Sequence, residues 1–530
     1  MSDSSHWADA AAEKLIAARP DRDVYTCASG ISPSGPVHVG NLRDLVTIQF
    51  VGKALAERGK RTRLIHSWDE FDRFRKVPTG LPAEYAQYIG RPLTSVPDPD
   101  GAYPSYARRH EQAFEDSLRP LGIRVDYRYQ TALYTSGAYG TAIVEAVRAR
   151  FRIFDIIESY RTDSSPPGRR ADYLPLTVYC SSCGRDSTRV ALVPNEDRAT
   201  YVCEDCGHLA ELDLRTASNI KLPWKVDWAM RWRHEGVVFE PAGKDHATKG
   251  GSFEVASQIS KEIFGYEPPV FQPYEFIGLK GITGKMSSST GQLLTPGDVL
   301  EVYQPEVLLW LFARVPPNRA FDLALDDGIY RLYDEFDRCL AGEASALDSR
   351  ALQLALLPGR QVAPVPFRQL AGFAGLALGN RGALESIFQR LGAPWRLKDF
   401  EERLQTAERW LERYAPEERT TLLPSANEPL FSSLTERERD WLQRLVDWFT
   451  SRPGFTVDEV TTVLYDIPKA PEMAEAERKA AQKRFFHILY GLLFGANRGP
   501  RLGTFFAAVS PETYLSLLHF AAPTRDLVSR

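Results

Sequence analysis

Between Val24 and Gly59 the chain is written as strand, turn and helix, and this unit limits what the whole can become. Val24, Tyr25, Thr26, Cys27 and Ala28 form a short β-branched and apolar run, the pattern of a buried strand. A loop rich in breakers follows, with Gly30, Pro33, Gly35 and Pro36. Apolar residues then recur at helical spacing, at Leu42, Leu45, Val46, Phe50, Ala54 and Leu55, up to a natural stop at Gly59. Residues 62–67 read as a second strand. Strand, helix and strand in this order predict a doubly wound, Rossmann-like parallel sheet of the α/β class, with its ligand at the strand C-termini.

The loop Ser32-Pro33-Ser34-Gly35-Pro36-Val37-His38-Val39-Gly40-Asn41 therefore runs from a strand end into a helix start. Such a start offers free backbone N–H groups and the positive end of the helix dipole, a site for phosphate. Pro33, Ser34, Gly35 and Gly40 let a nucleotide approach the backbone, and His38 and Asn41 supply donors. A capped helix start with an incidental histidine would look the same in isolation. About 250 residues later comes Lys285-Met286-Ser287-Ser288-Ser289, among Gly278, Gly281, Gly284 and Gly291. Glycines make a loop mobile, and a mobile lysine loop can close over a triphosphate as charge develops on leaving pyrophosphate. By itself this too is compatible with a polar surface loop. The two together predict a nucleotide triphosphate gripped from two sides.

Four of the six cysteines fall in Cys180-x2-Cys183 and Cys203-x2-Cys206, with 19 residues between the pairs. This is zinc-ribbon spacing, each pair forming one tight knuckle, with Gly184 and Gly207 directly after them. Two disulfides are the alternative, disfavoured in a reducing compartment. Four thiolates leave no open position, so the expected Zn²⁺ is structural. No apolar run of membrane-spanning length and no leader-like segment is present, so no membrane partner and a cytoplasmic location are expected. The net charge of −4 does not favour nucleic acid as a partner, but a basic face suffices, and local basic stretches exist at Arg478-Lys479 with Lys483-Arg484, and at Arg498 with Arg501.

The first loop resembles the HIGH motif of class I aminoacyl-tRNA synthetases, with Asn41 at its last position, and 285–289 resembles their KMSKS motif, with Ser288 where a second lysine often stands. More closely, the chain is similar to the class I lysyl-tRNA synthetases. The similarity runs through His6-Trp7-Ala8-Asp9, Gly30-Ile31-Ser32-Pro33-Ser34-Gly35, Arg75-Lys76-Val77-Pro78, Lys221-Leu222-Pro223-Trp224-Lys225-Val226-Asp227-Trp228, Gly243-Lys244-Asp245-His246 and Gly499-Pro500-Arg501-Leu502-Gly503. It implies attachment of L-lysine to tRNA(Lys) through a lysyl-adenylate, by a monomer. It also implies that Gly30, Ser32, Trp224 and His246 line a lysine pocket and that Asp245 and His246 approach the ATP ribose. His38, Asn41 and Lys285 would be the catalytic set, with Met286, Ser287, Ser288 and Ser289 also on ATP. Trp224 could equally be ordinary core. Some similar chains carry a further Asp/Cys/His cluster in the stretch matching 98–110; Ala102 and Tyr103 stand in the ligand places here, so no second zinc is expected.

A lysine ammonium needs acceptors. Asp69 and Asp72, in Ser67-Trp68-Asp69-Glu70-Phe71-Asp72 at the end of the second strand, are the candidates, with an acidic helix cap as the alternative. Three other functions share some of these features: a glutamyl-type synthetase, a paralogue that activates an amino acid without charging tRNA, and a non-catalytic RNA-binding relative. The first would need a basic pocket, and intact His38 and Lys285 count against the last.

The expected organisation is a catalytic first half over 1–90, an insertion with the zinc ribbon over 91–215, and a catalytic second half over 216–295. A helical connecting domain over 296–358 and a helical anticodon-binding domain over 359–530 follow. Within these, 142–160 and 252–264 read as helices, 237–239 and 274–278 as strands. From about 300 onward only helices are expected, among them 299–314, 367–378, 399–415 and 474–494. The Pro-rich stretch 358–366 marks a boundary.

Overall fold

The computed structural model describes residues 5–161, 168–194, 196–280, 293–376, 381–419, 421–452 and 454–520. The loop at 285–289, with Lys285, lies outside them. By their contacts the residues divide into two compact units: 1–324 with 342–358, and 325–341 with 359–530.

The first unit is built on a five-stranded sheet. Its strands are Val24–Ile31 (β1), Arg61–Trp68 (β2), Asp126–Tyr129 (β3), Val237–Gly243 (β4) and Val270–Tyr274 (β5). They lie in the order β5-β4-β1-β2-β3, every neighbouring pair parallel. The order reverses between β1 and β4. At such a switch point the connections leave in opposite directions and open a crevice at the strand C-termini. The register brings Gly30 beside Ser67 and Ile31 beside Trp68 at the rim of that crevice.

The helix Leu42–Glu57 covers one face, with Ile48, Val51, Ala54 and Leu55 packed against Tyr25, Cys27, Val238 and Phe239 and against Ala12 and Leu15 of the helix Trp7–Ala18. Truncating a side chain as buried as Ile48 costs about 2–5 kcal/mol, so this face alone anchors the loop that precedes the helix. Gly59, just past the helix, takes the left-handed conformation (φ 73°) that an L side chain resists. Asp9 sits between Arg58 at 2.9 Å and Arg350 at 2.8 Å, so the N-terminal His6-Trp7-Ala8-Asp9 segment has a tethering role.

Four elements differ from the pattern reading. β3 comes from inside the stretch taken as an insertion; its Asp-Tyr-Arg-Tyr sequence on the sheet edge lacks the apolar run of an interior strand. The helical stretch 142–160 is two helices, Gly140–Arg148 and Arg150–Ser159, broken at Ala149 without loss of apolar spacing. Phe321–Leu323 is a strand, beyond the point where only helices were expected, and pairs in parallel with Ile277–Leu279; three residues are too few to show a period. The last sheet strand, expected at 274–278, is β5, ending at Tyr274.

The second unit is helical, with Leu397–Tyr414, Glu436–Thr450 and Glu475–Phe494 its longest members. Inside it, buried Arg403 donates to Asp337 at 2.8 Å and to the Val365 carbonyl at 2.6 Å, which satisfies a charge that would otherwise be costly. Of the helices on either side of residue 341, Gly328–Leu340 belongs to this unit and Ala346–Ala355 to the first. Among the described residues no helix is long and apolar enough to cross a membrane.

Candidate active site

A cavity of about 370 Å³ occupies the switch-point crevice. Its walls bring together Gly30, Ser32, Ser34, Gly35, His38, Gly40, Asn41, Trp224, Asp245 and His246, which the sequence scatters over more than 200 positions. Pro33 is buried behind the same loop. Asp69 and Asp72 do not line this cavity, and the residues 285–289 lie outside those described.

At one end, Val39–Asn41 make a single tight turn that runs into Leu42–Glu57. The Val39 N–H is held by the Leu294 carbonyl at 2.8 Å and the Asn41 N–H by His38 at 2.9 Å. Gly40 lets the His38 ring lie close: a methyl group on it would come 2.8 Å from the ring nitrogen Nδ1 and push the imidazole aside. The imidazole therefore folds over the helix start, where the dipole is equivalent to about half a positive charge. This end is built for an anion.

The other end is aromatic. Trp224 opens the helix Trp224–Glu235 and stacks on Trp228, ring centres 4.8 Å apart and planes 22° apart. The His246 ring, on the turn Lys244–Ala247 that follows β4, stands 5.6 Å from Trp228 and 6.5 Å from Trp224. Trp224 remains 36% exposed, which decides against its being core. Gly251 closes this turn; a methyl there would come within 2.7 Å of the His246 carbonyl.

Two carboxylates that line this cavity were not singled out from sequence. Glu240, on β4, accepts from Trp228 Nε1 at 3.1 Å and from Trp232 Nε1 at 2.6 Å. Burial pushes its pKa up to about 7. Asp44, in the first turn of Leu42–Glu57, takes a hydrogen bond from the Tyr274 hydroxyl, while burial, with Glu240 adding like charge, raises its pKa well above the ordinary range. The available signals were a lone glutamate in the apolar run Val237-Val238-Phe239-Glu240 and an aspartate two turns past His38 on the helix.

The acidic run at the end of β2 has a different use. Asp69 is buried and ion-paired with Arg231 at 2.5 Å. Burial raises its pKa against the pull of that guanidinium. Arg231 is also gripped by Asp227, which accepts from the Tyr134 hydroxyl at 2.6 Å, and its guanidinium lies 5.8 Å from the Trp224 ring centre. Asp72 is ion-paired with Lys221. Asp69 thus ties the end of β2 to the tryptophan helix through Arg231, while Asp72 ties the same run to Lys221, just ahead of that helix.

Apart from this cavity, the four cysteines converge around a three-stranded antiparallel sheet, Thr188–Leu192, Arg198–Cys203 and Leu209–Asp213. All four Sγ atoms lie within 4.8 Å of one another, with Cys180 to Cys206 at 3.7 Å and Cys183 to Cys203 at 3.6 Å. Four thiolates tetrahedrally bound at about 2.3 Å would stand about 3.8 Å apart, so the set fits a zinc ion. The separations are far too long for disulfides. Gly184 and Gly207 have φ of 77° and 71°, the left-handed turn that each knuckle needs. In the stretch 98–110, Asp98 instead accepts the N–H groups of Ala102 at 2.8 Å and Tyr103 at 3.2 Å and pairs with Arg109.

The sequence profile of the class I (K) tRNA synthetases matches residues 5–353. A lysine–tRNA ligase of Treponema pallidum (strain Nichols) is 39% identical over 96% of this chain and 97% of its own length. One from Thermococcus kodakarensis (strain ATCC BAA-918 / JCM 12380 / KOD1) is 36% identical over 97% and 99%. One from Streptomyces coelicolor (strain ATCC BAA-471 / A3(2) / M145) is 36% identical over 97% and 98%. With the profile spanning the parallel-sheet unit and these relatives aligned almost end to end, the chain belongs to the class I (K) tRNA synthetases.

Proposed function

We propose that this protein attaches L-lysine to tRNA(Lys) in two steps. The lysine carboxylate attacks the α-phosphate of ATP in line, forming lysyl-adenylate and releasing pyrophosphate. The terminal ribose hydroxyl of tRNA then attacks the acyl carbon, and AMP leaves. The observation that carries this reading is the single cavity in which a phosphate-binding helix start meets a pocket walled by Trp224 and His246 and floored by carboxylates.

No side chain forms a covalent intermediate; positioning and charge stabilisation carry the rate. His38 and Asn41, with the helix start, hold the phosphates from one side, and Lys285 closes on them from the other, flanked by Met286, Ser287, Ser288 and Ser289. Pro33, Ser34, Gly35 and Gly40 give the nucleotide close backbone approach, and Asp245 faces its ribose. Gly30, Ser32, Trp224 and His246 hold lysine, the indole excluding water and packing the aliphatic stem. Mg²⁺, entering with ATP, supplies charge neutralisation on the phosphates.

Zn²⁺ on Cys180, Cys183, Cys203 and Cys206 has a structural role. Elemental analysis is expected to find one zinc per chain, and Cys180→Ser to lose it and expose the 177–221 region to proteolysis. A folded native protein without metal would remove this assignment.

The overall reading is tested by AMP release from Mg-ATP in the presence of unfractionated tRNA. Release is expected on addition of lysine. An assay without tRNA is not a substitute, because activation can require it. Lysine-dependent AMP release with no aminoacylated tRNA would make the protein a paralogue, and no nucleotide chemistry under any condition would make it a non-catalytic RNA binder.

A further inference from the structure

Lysine would carry its side-chain ammonium into a cavity from which Asp69 and Asp72 are absent, both already paired with internal cations. Two other carboxylates do line it, Asp44 at 6% exposure and Glu240 at 7%. Among the described residues no lysine or arginine hydrogen-bonds either one. Asp44 has the Tyr274 hydroxyl as donor, but its Oδ1 is buried with no partner at all. Glu240 has only the two indole N–H groups. A buried carboxylate left in this state is costly, and two side by side are more so. A cationic ligand is the counterpart that removes the cost.

Direction decides which ammonium. The substrate carboxylate, with its α-ammonium beside it, must stay at the helix-start end, where the α-phosphate lies. Asp44 is a turn further along the helix than Asn41, and Glu240 is three residues inside the end of β4. Both line the cavity beyond the helix start, Glu240 held by the Trp228 indole and Asp44 near enough to Glu240 to feel its charge. We propose that Asp44 and Glu240 form the specificity floor of the pocket and receive the ε-ammonium of lysine, the unpartnered Oδ1 of Asp44 accepting one of its hydrogens.

This rests on the lysine reading above, but the two can fail separately. The test is the tRNA-charging reaction with Asp44→Asn and Glu240→Gln, using norleucine, which has a methyl group in place of the ammonium, as a competitive inhibitor. Asp44→Asn is expected to raise KM for lysine at least ~100-fold, with Glu240→Gln moving it in the same direction, while KM for ATP moves only a few-fold. The Ki of norleucine should stay unchanged or fall in both variants, since no charge is then left unpaired. A merely structural role would not produce that split. Thermal unfolding of ligand-free Asp44→Asn should occur at about the same temperature as wild type, because burial already favours the neutral form of the Asp44 carboxyl and the amide has the same shape. Equal losses of lysine and norleucine, a marked fall in thermal stability, or lysine KM within a few-fold of wild type in both variants would overturn the assignment. If either variant fails to fold, wild type still decides: norleucine should bind at least ~100-fold more weakly than lysine, and binding within ~10-fold would overturn the floor. Normal lysine charging by wild type and by both variants removes the floor alone; no lysine bound or charged by wild type removes the reading and the floor with it.

Discussion

Lys285→Ala is expected to slow lysyl-adenylate formation at least ~100-fold, about 2.7 kcal/mol of transition-state stabilisation, while lysine affinity changes far less. The reasoning is one of charge. As the bond to the α-phosphate breaks, negative charge accumulates on the departing pyrophosphate. A cation brought to that position acts on the transition state more than on bound ATP, so its removal shows in the rate constant rather than in binding. Lys285 is the only lysine within 285–289, because Ser288 occupies the place of a second one. No neighbour in the motif can substitute for it. Single-turnover activation with saturating ATP and tRNA measures the step directly. A rate within a few-fold of wild type would remove Lys285 from the chemistry.

The parts of the fold that could be read in advance are those where several residues repeat one instruction. The β1 strand, the breaker loop and the apolar stripe of Leu42–Glu57 agree with one another, and the structure has them as expected. The two Cys-x2-Cys knuckles carry their own geometry, down to the glycine after each. What escaped was set by partners distant in sequence. β3 is a strand because β2 pairs with it, from Ile65 beside Asp126 to Trp68 beside Tyr129, and nothing in its own four residues says so. Phe321–Leu323 likewise depends on Ile277–Leu279. The same limit governs the site. An acidic run beside a predicted ligand pocket is a reasonable ammonium receptor until Arg231 and Lys221, some 150 residues away, are found holding it. Asp44 and Glu240 are single acidic residues in apolar surroundings, and their common destination exists only once β4 and β1 lie side by side.

That destination determines the second large effect, which is specificity. Lysine should be charged and glutamate rejected. A glutamate side chain would place a third carboxylate against Asp44 and Glu240, with Arg231 already committed to Asp69 and Asp227. Unpaired like charges in a buried pocket cost several kcal/mol, so discrimination of at least ~10³-fold in kcat/KM is expected. Among the described residues no lysine or arginine lines this cavity, where a glutamyl-type enzyme needs a basic pocket. Purified protein, Mg-ATP, unfractionated tRNA and an equimolar mixture of the twenty amino acids put the matter to a single measurement: the identity of the aminoacyl group recovered from the tRNA. The account predicts lysine. Recovery of glutamate, or of no amino acid at all, would contradict it.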